Sequence, residues 1–355
     1  MSRIIHVNTS KKYDIVIKNG IICEAGLYIR KITNAQNVLI ITDNNVAKFY
    51  LNKLSNSLRQ QNFKLSTFIF KAGEISKNLN TIQQIYEKLC NEYFTRNDLI
   101  VALGGGVCGD IAGFVASTYL RGLNYVQIPT SLLAQIDSSI GGKTGVNLPQ
   151  GKNLVGTFWQ PSIVLIDPCT ILTLTKRQFN NGIAEAIKYS YISNPYILKI
   201  LNNNNIQNNL EELIYECAKV KSNIVSNDEL DNNKRLILNF GHTIAHALEK
   251  IYNYKKLYHG EAVSIGMSMI TNISQIIGIT KKGTYKSLNE LLLKYNLPIN
   301  DPSPIKLISN NILNDKKMFG CILNLIIIKE IGNAVIYQID KGNIEDFLLR
   351  GNKYV

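Results

Sequence analysis

Leu99-Ile100-Val101-Ala102-Leu103 runs straight into Gly104-Gly105-Gly106-Val107-Cys108-Gly109-Asp110. Five apolar residues without alternation read as a strand buried on both faces. Such a strand needs helices above and below it, which already points to an α/β sheet. Gly104, Gly106 and Gly109 match G-x-G-x-x-G between a strand and an expected helix. Glycines there let backbone N–H groups approach a pyrophosphate at a helix N-terminus. The dinucleotide fingerprint also calls for an acid about 20 residues later. Residues 123–131 hold neither Asp nor Glu. This is therefore not the usual Rossmann unit, and a tight structural turn accounts for the glycines about as well. If a dinucleotide binds, Asp43 and Glu74, which end or follow earlier strands, are the candidates for its ribose.

Other strand-sized runs repeat the pattern. They are 4–7, 13–17, 38–42, 65–70, 125–129 and 163–168, with Asn19-Gly20 as a turn. Amphipathic stretches alternate with them, which predicts an open, mostly parallel sheet. Ligands bind such sheets at the carboxyl ends of the strands. The run Asp137-Ser138-Ser139-Ile140-Gly141-Gly142-Lys143-Thr144-Gly145 reads as a polar loop. Lys152-Asn153 falls in another glycine-bearing loop. With Arg121 these residues bring several cations close in sequence to the glycine loop, as an anion site requires. After about residue 175 the periodicity becomes helical, over 195–227, 242–252, 260–277 and 284–295. Residues 202–209 read as a connection between helices, and 322–328 with 334–338 as a late hairpin. The expected domains are 1–174, α/β and Rossmann-like, and 175–355, mainly helical.

The chain has four histidines, and three lie in Asn239-Phe240-Gly241-His242-Thr243-Ile244-Ala245-His246-Ala247-Leu248-Glu249 and the following His259-Gly260-Glu261. His242 and His246 are four apart and share one helix face. Clustered imidazoles of this kind are a metal-site pattern. Two His and one carboxylate would leave zinc an open position, which is a catalytic arrangement. Glu185, flanked by small and apolar residues on a helix with Lys188 on the same face, is the first choice of carboxylate. Glu249 and Glu261 compete for the role. A metal, a nucleotide loop and a set of cations together suggest redox chemistry on a phosphorylated or carboxylated alcohol.

Composition sets the outer bounds. The net charge is +13, but the lysines are scattered and no basic tract with interleaved aromatics marks a nucleic-acid site. The N-terminus lacks a signal-peptide core, and no apolar run reaches membrane-spanning length without polar interruption. Six single cysteines (23, 90, 108, 169, 217 and 321) without a C-x-x-C pair read as reduced core residues of a cytoplasmic protein.

Taken together, several of these runs resemble the 3-dehydroquinate synthase family of sugar phosphate cyclases. They are Gly104 to Asp110, Arg121-Gly122, Asp137 to Asn147, Lys152-Asn153 and Phe158-Trp159-Gln160-Pro161. Ala184-Glu185-Ala186-Ile187-Lys188, Asn239 to Glu249 and His259-Gly260-Glu261 complete the set. The likeness extends from Asp43 to Asp315-Lys316-Lys317 and loosens beyond. Ser131 stands where many members have a second Thr, which keeps a hydroxyl. Cys108 fills a variable place in the glycine loop.

The resemblance implies conversion of 3-deoxy-D-arabino-heptulosonate 7-phosphate to 3-dehydroquinate and phosphate in the shikimate pathway. The route would be transient oxidation by NAD, phosphate elimination, reduction and aldol closure. It implies NAD and Zn2+ (or Co2+) as cofactors and a homodimer. The metal ligands carried over are Glu185, His242 and His259, which leaves His246 to relay protons. Nucleotide contacts would come from Asp43, Asn45, Glu74, Lys77, Gly106, Val107, Asp110, Thr130, Ser131, Lys143, Lys152, Thr170 and Thr173. Substrate contacts would come from Arg121, Lys143, Lys152, Asn153, Lys188, Lys221, Arg235 and Asn239. Asp137 would complete the catalytic set with Arg121, Lys152, Lys188 and Asn239. The competing readings are a cyclase acting on sedoheptulose 7-phosphate, a metal-dependent polyol dehydrogenase, and a nucleic-acid-binding protein.

Overall fold

A computed structural model describes residues 2–203, 205–313 and 321–351. The described chain divides into two compact units. The first comprises residues 1–174 with 221–230, and the second 175–220 with 231–355. The end of the resemblance, Asp315-Lys316-Lys317, lies outside the described residues.

The first unit is built on a seven-stranded sheet. Strands β1 (Arg3–Val7), β2 (Tyr13–Ile17), β3 (Asn37–Asp43), β4 (Lys64–Phe70), β5 (Leu99–Gly104), β6 (Asn124–Pro129) and β9 (Ile163–Ile166) lie in the order β1-β2-β9-β6-β5-β3-β4. Only the β1–β2 pair is antiparallel. Helices α1 (Ala25–Ile32), α2 (Asn52–Arg59), α3 (Leu79–Asn91) and α4 (Gly106–Thr118) cover it. The uninterrupted apolar strands are explained by where alternate residues go. Val38, Ile40, Leu99, Val101 and Leu103 join one core with Ile29, Leu54 and Leu58. Leu39, Ile41, Ile100 and Ala102 join a second with Ile82, Ile85, Ile111 and Val115. Each strand feeds two cores, so each run is apolar throughout.

The two loops expected around Lys143 and Lys152 are instead a hairpin, β7 (Lys143–Leu148) with β8 (Gly151–Phe158). Its residues are too polar and glycine-rich to read as strands. The pairing is steric as much as apolar. A Cβ on Gly156 would stand 2.2 Å from Thr144 O, and one on Gly113 of α4 would stand 2.4 Å from the Thr144 methyl. The hairpin packs on α4.

The second unit contains α5 (Lys176–Ile192), α6 (Tyr196–Asn202), most of α7 (Leu210–Asn227), α8 (His242–Ile251), α9 (His259–Ile276), α10 (Thr284–Lys294), α11 (Ile305–Leu313) and α12 (Ile344–Leu349). A hairpin of β10 (Ile322–Glu330) and β11 (Asn333–Asp340) accompanies them. The helical stretch expected over 195–227 is broken after Asn202, where the Asn-rich connection intervenes. α9 packs against α5, α8 and α10. The cysteine expectation needs correction. Cys108 and Cys217 are buried, but Cys23, Cys90, Cys169 and Cys321 are exposed. Short apolar flanks did not distinguish a core position from the end of an element.

Candidate active site

The two units each carry a distinct group of the expected residues. In the first, β4 follows β3 on one side while β5 and β6 run out on the other, so the strand order reverses between β3 and β5. Such a reversal opens a crevice at the carboxyl ends. Gly104 and Asp43 end those two strands. A Cβ on Gly104 would lie 3.7 Å from Asp43 Oδ2. Asp43 Oδ1 accepts the amides of Asn45 and Val46, at 2.8 and 3.0 Å, and so fixes the loop. α4 begins here with no side chain capping its first amides. Gly106, Val107 and Asp110 lie in its first turns, and uncapped helix amides favour an anion. Thr130 N donates to Gly104 O at 3.0 Å, which sets Thr130 and Ser131 beside the same turn. Thr170 and Thr173 lie in the turn after β9, where the Tyr50 hydroxyl bonds Thr170 O at 3.1 Å and Thr173 Oγ1 at 2.8 Å.

Lys77, expected to contact the nucleotide, is drawn into the fold. Its side chain is 5% exposed and its ammonium is paired with Asp110. It also donates to Asn153 Oδ1 at 2.6 Å. Its own carbonyl accepts Asn147 N at 2.9 Å. Asn147 in turn donates to Glu74 at 2.7 Å and accepts Asn153 N at 2.9 Å. This network holds Asn153, and Lys152 beside it, near the first turn of α4. Burial raises the Asp110 carboxyl pKa, and Lys77 pulls against it. Lys221 donates to Asp137 twice, to the carbonyl at 2.7 Å and to the carboxylate at 2.6 Å.

The cations grouped by sequence proximity do not stay together. Arg121 lies past the far end of α4, where Leu120 O accepts Arg96 Nε just before β5 begins. That is the amino edge of the sheet, about 20 Å of helix from the glycine loop at 1.5 Å per residue. Lys143 starts the hairpin opposite Phe158, away from the turn that precedes Lys152. Linear distance misled here because α4 reverses the chain direction.

In the second unit, α5, α8 and α9 bring Glu185, His242 and His259 into one group. Their ligand atoms all lie within 4.8 Å of one another. His242 Nε2 and His259 Nε2 are each 3.7 Å from Glu185 Oε1. Tetrahedral zinc with bonds of about 2.0–2.2 Å needs donor separations of about 3.4 Å. Glu185 is fully buried, and its Oε1 has no hydrogen-bond partner among the described residues. An orphaned buried carboxylate oxygen facing two imidazole nitrogens is costly unless a cation sits there. Lys188, 1% exposed, pairs with the other oxygen, Oε2. His242 Nδ1 donates to Phe240 O at 3.1 Å, which leaves Nε2 unprotonated toward Glu185. Burial, and after it the charges of Lys188, His259 and His246, hold the His242 pKa well below the ordinary value. The imidazole is thus kept in its ligand form.

His246 shares the helix face, as the four-residue spacing requires, but is exposed and outside the trio. Its ring centre is 5.6 Å from that of His242 and 6.4 Å from that of His259. The competing acids have other positions. Glu249 Oε1 lies 3.6 Å from His259 Nδ1, behind that ring. Glu261 binds Arg177 and the Tyr258 amide. The short turn Lys234–Asn239 packs on α5 and carries Arg235, which is buried, and Asn239.

Glycines that sequence reasoning passed over bring these helices together. Gly241 has φ +80 immediately before His242, and a Cβ on Gly266 would stand 2.0 Å from Gly241 O. Gly266→Ala must therefore push α8 off α9. Overpacking of this kind costs about 1–3 kcal/mol. Urea unfolding should show that loss, and chelator competition should show weaker zinc binding. Unchanged zinc affinity would count against close helix contact as what sets the site.

The N-terminal 3-dehydroquinate synthase model matches residues 67–181 and the C-terminal one residues 182–318. The 3-dehydroquinate synthase of Clostridium kluyveri is 47% identical over 350 residues, covering 97% of this chain and 98% of that one. The chain belongs to the 3-dehydroquinate synthase family. It has 3-dehydroquinate synthase activity, a carbon–oxygen lyase reaction of the shikimate pathway, as the motifs led us to expect. Solved relatives give the same fold at lower identity. A 2-deoxy-scyllo-inosose synthase complexed with carbaglucose-6-phosphate, NAD+ and Co2+ superposes with TM-score 0.86 at 24% identity, over 98% of this chain and 99% of that one. A 2-epi-5-epi-valiolone synthase from Streptomyces hygroscopicus subsp. jinggangensis, with NAD+ and Zn2+ bound, gives 0.87 at 24%, over 99% of both.

Proposed function

We propose that the synthase reaction runs with NAD+ held by the first unit and a divalent metal, Zn2+ or Co2+, held by Glu185, His242 and His259. The observation that carries this reading is the buried Glu185 Oε1, facing two imidazole nitrogens at 3.7 Å. The cyclases with NAD+ and Co2+ or Zn2+ bound support it as relatives of the same fold. Asp43, Asn45, Gly106, Val107, Thr130, Ser131, Thr170 and Thr173 are the proposed nucleotide contacts. Glu74, Lys77 and Asp110 shape that crevice through their own pairing.

When bound, NAD+ takes and returns one hydride while the metal polarises the substrate's alcohol oxygens. The chain does the rest. His242 is held as a neutral donor, and Glu249 Oε1, 3.6 Å from His259 Nδ1, would orient that ring. Oxidation at C5 of the substrate makes the C6 proton acidic, and phosphate leaves. His246, exposed beside the trio, is placed to carry protons to and from solvent. Ring opening and aldol closure would then finish the product. The first unit offers Lys152, Asn153 and Lys221 to the anionic groups, with Asp137 holding Lys221 in place. The second unit offers Lys188, Arg235 and Asn239. Preplaced cations hold a polyanion and raise its encounter rate. Lys143 and Arg121 lie apart from the Lys152 group, as described above. We take the working form to be a homodimer in the cytoplasm.

Dialysis against a strong chelator tests the metal. Activity should fall with bound metal and return on adding Zn2+ or Co2+. Full activity in demonstrably metal-free protein would overturn the assignment.

A further inference from the structure

One face of α5 does more than supply Glu185. Arg177, Asn181 and Glu185 are spaced four and four, so they line one side of the helix over about 12 Å. All three address the start of α9. Arg177, at the outer end, grips Glu261 with two bonds, Nε to Oε1 at 2.7 Å and Nη2 to Oε2 at 2.8 Å. Its Nη2 also donates to Lys256 O at 3.0 Å, and its guanidinium lies 4.1 Å over the Tyr258 ring. Asn181, one turn further in, accepts the Gly260 amide at 2.6 Å. Gly260 is pressed so close that a Cβ would stand 2.2 Å from Asn181 O. Glu185, at the buried end, faces His259. Residues 256, 258, 260 and 261 are thus each held, and His259 lies in their midst.

We infer that Arg177 and Asn181 are positioning residues for the metal site: they fix the first turn of α9 so that His259 meets Glu185 and His242. An ordinary exposed ion pair would carry little weight. This one is two-pronged, stacked on an aromatic ring and shared with a backbone carbonyl. Lysine cannot reproduce that arrangement. Glu261 also accepts the Tyr258 amide at 2.8 Å, so the same carboxylate caps α9 and receives Arg177. The inference rests on the metal reading above, and its test separates the two.

Full-length wild-type protein, Arg177→Ala, Arg177→Lys and Asn181→Ala are stripped of metal and titrated with zinc against a chromogenic chelator. Residues behind a metal ligand are worth about 10–100-fold in affinity. Arg177→Ala and Asn181→Ala should fall in that range, and Arg177→Lys should recover only part of the loss. Glu261→Ala should cost less on top of Arg177→Ala than it does alone, because the Arg177–Glu261 contact is then already broken and only the Tyr258 cap remains to lose. The visible spectrum of the Co2+-loaded Arg177→Ala protein should depart from wild type. Thermal unfolding of the metal-free variants should stay close to wild type. Zinc affinity within twofold of wild type in Arg177→Ala would overturn the inference. So would a loss matched by equal destabilisation of the metal-free protein. Wild type that fails to bind zinc would remove the metal reading and this inference together, whereas normal wild-type binding with indifferent variants removes only the inference.

Discussion

His259→Ala should lose stoichiometric metal and at least about 1,000-fold in kcat, since metal polarisation supplies several kcal/mol. The effect follows from the arithmetic of the trio. His242 and Glu185 alone would leave a divalent ion two protein ligands, fewer than the three of a catalytic site. The substitution should leave the helix in place. The first turn of α9 is held through Glu261, Tyr258 and Gly260, none of which involves the His259 ring. Metal analysis and far-ultraviolet circular dichroism on the same sample make the comparison. Stoichiometric zinc retained by a well-folded variant would refute the ligand set. His246→Ala should instead keep its metal and lose rate alone.

Lys77→Ala should destabilise the first unit by about 3 kcal/mol, the usual cost of leaving one partner of a buried pair. Lys77 and Asp110 are 5% and 21% exposed, so water replaces little of the lost interaction. The pH dependence has a definite sign. The Asp110 pKa is already raised by burial, and losing Lys77 raises it further. The deficit against wild type is therefore full at neutral pH. It shrinks as pH falls through the raised folded pKa, because a protonated Asp110 no longer needs a cation. Urea titrations at two pH values measure it. A deficit under about 1 kcal/mol, or one that grows on acidification, would contradict the pairing. Substrate affinity should fall too, because Asn153 loses the ammonium that holds it.

How much of this could be read from residues alone varies by element. The strands around Val38 and Leu99 were plain, because a strand buried on both faces can hardly be written otherwise. The β7–β8 hairpin was not. It is held by backbone pairing and by glycines pressed against its partners, which leave no apolar alternation to detect. The metal trio was half legible. Spacing placed His242 and His246 together and the family resemblance chose Glu185, His242 and His259; the fold brings those three together and leaves His246 exposed beside them. Lys77 was expected as a nucleotide contact, and nothing local reveals that Asp110 and Asn153 close over it. Arg121 was grouped with the wrong neighbours because α4 carries the chain to the other edge of the sheet. The Arg177–Asn181–Glu185 stripe could have been found by asking which residues share the face of Glu185.

A redox cofactor used and regenerated within each turnover can be tested in one assay. Metal-loaded enzyme is given excess 3-deoxy-D-arabino-heptulosonate 7-phosphate with NAD+ far below the substrate. Phosphate and NADH are followed together. Many phosphates should be released per NAD+, with no lasting NADH, and release should stop when a chelator removes the metal. NADH accumulating in step with substrate consumed, and stopping when NAD+ is spent, would contradict it and mark a polyol dehydrogenase.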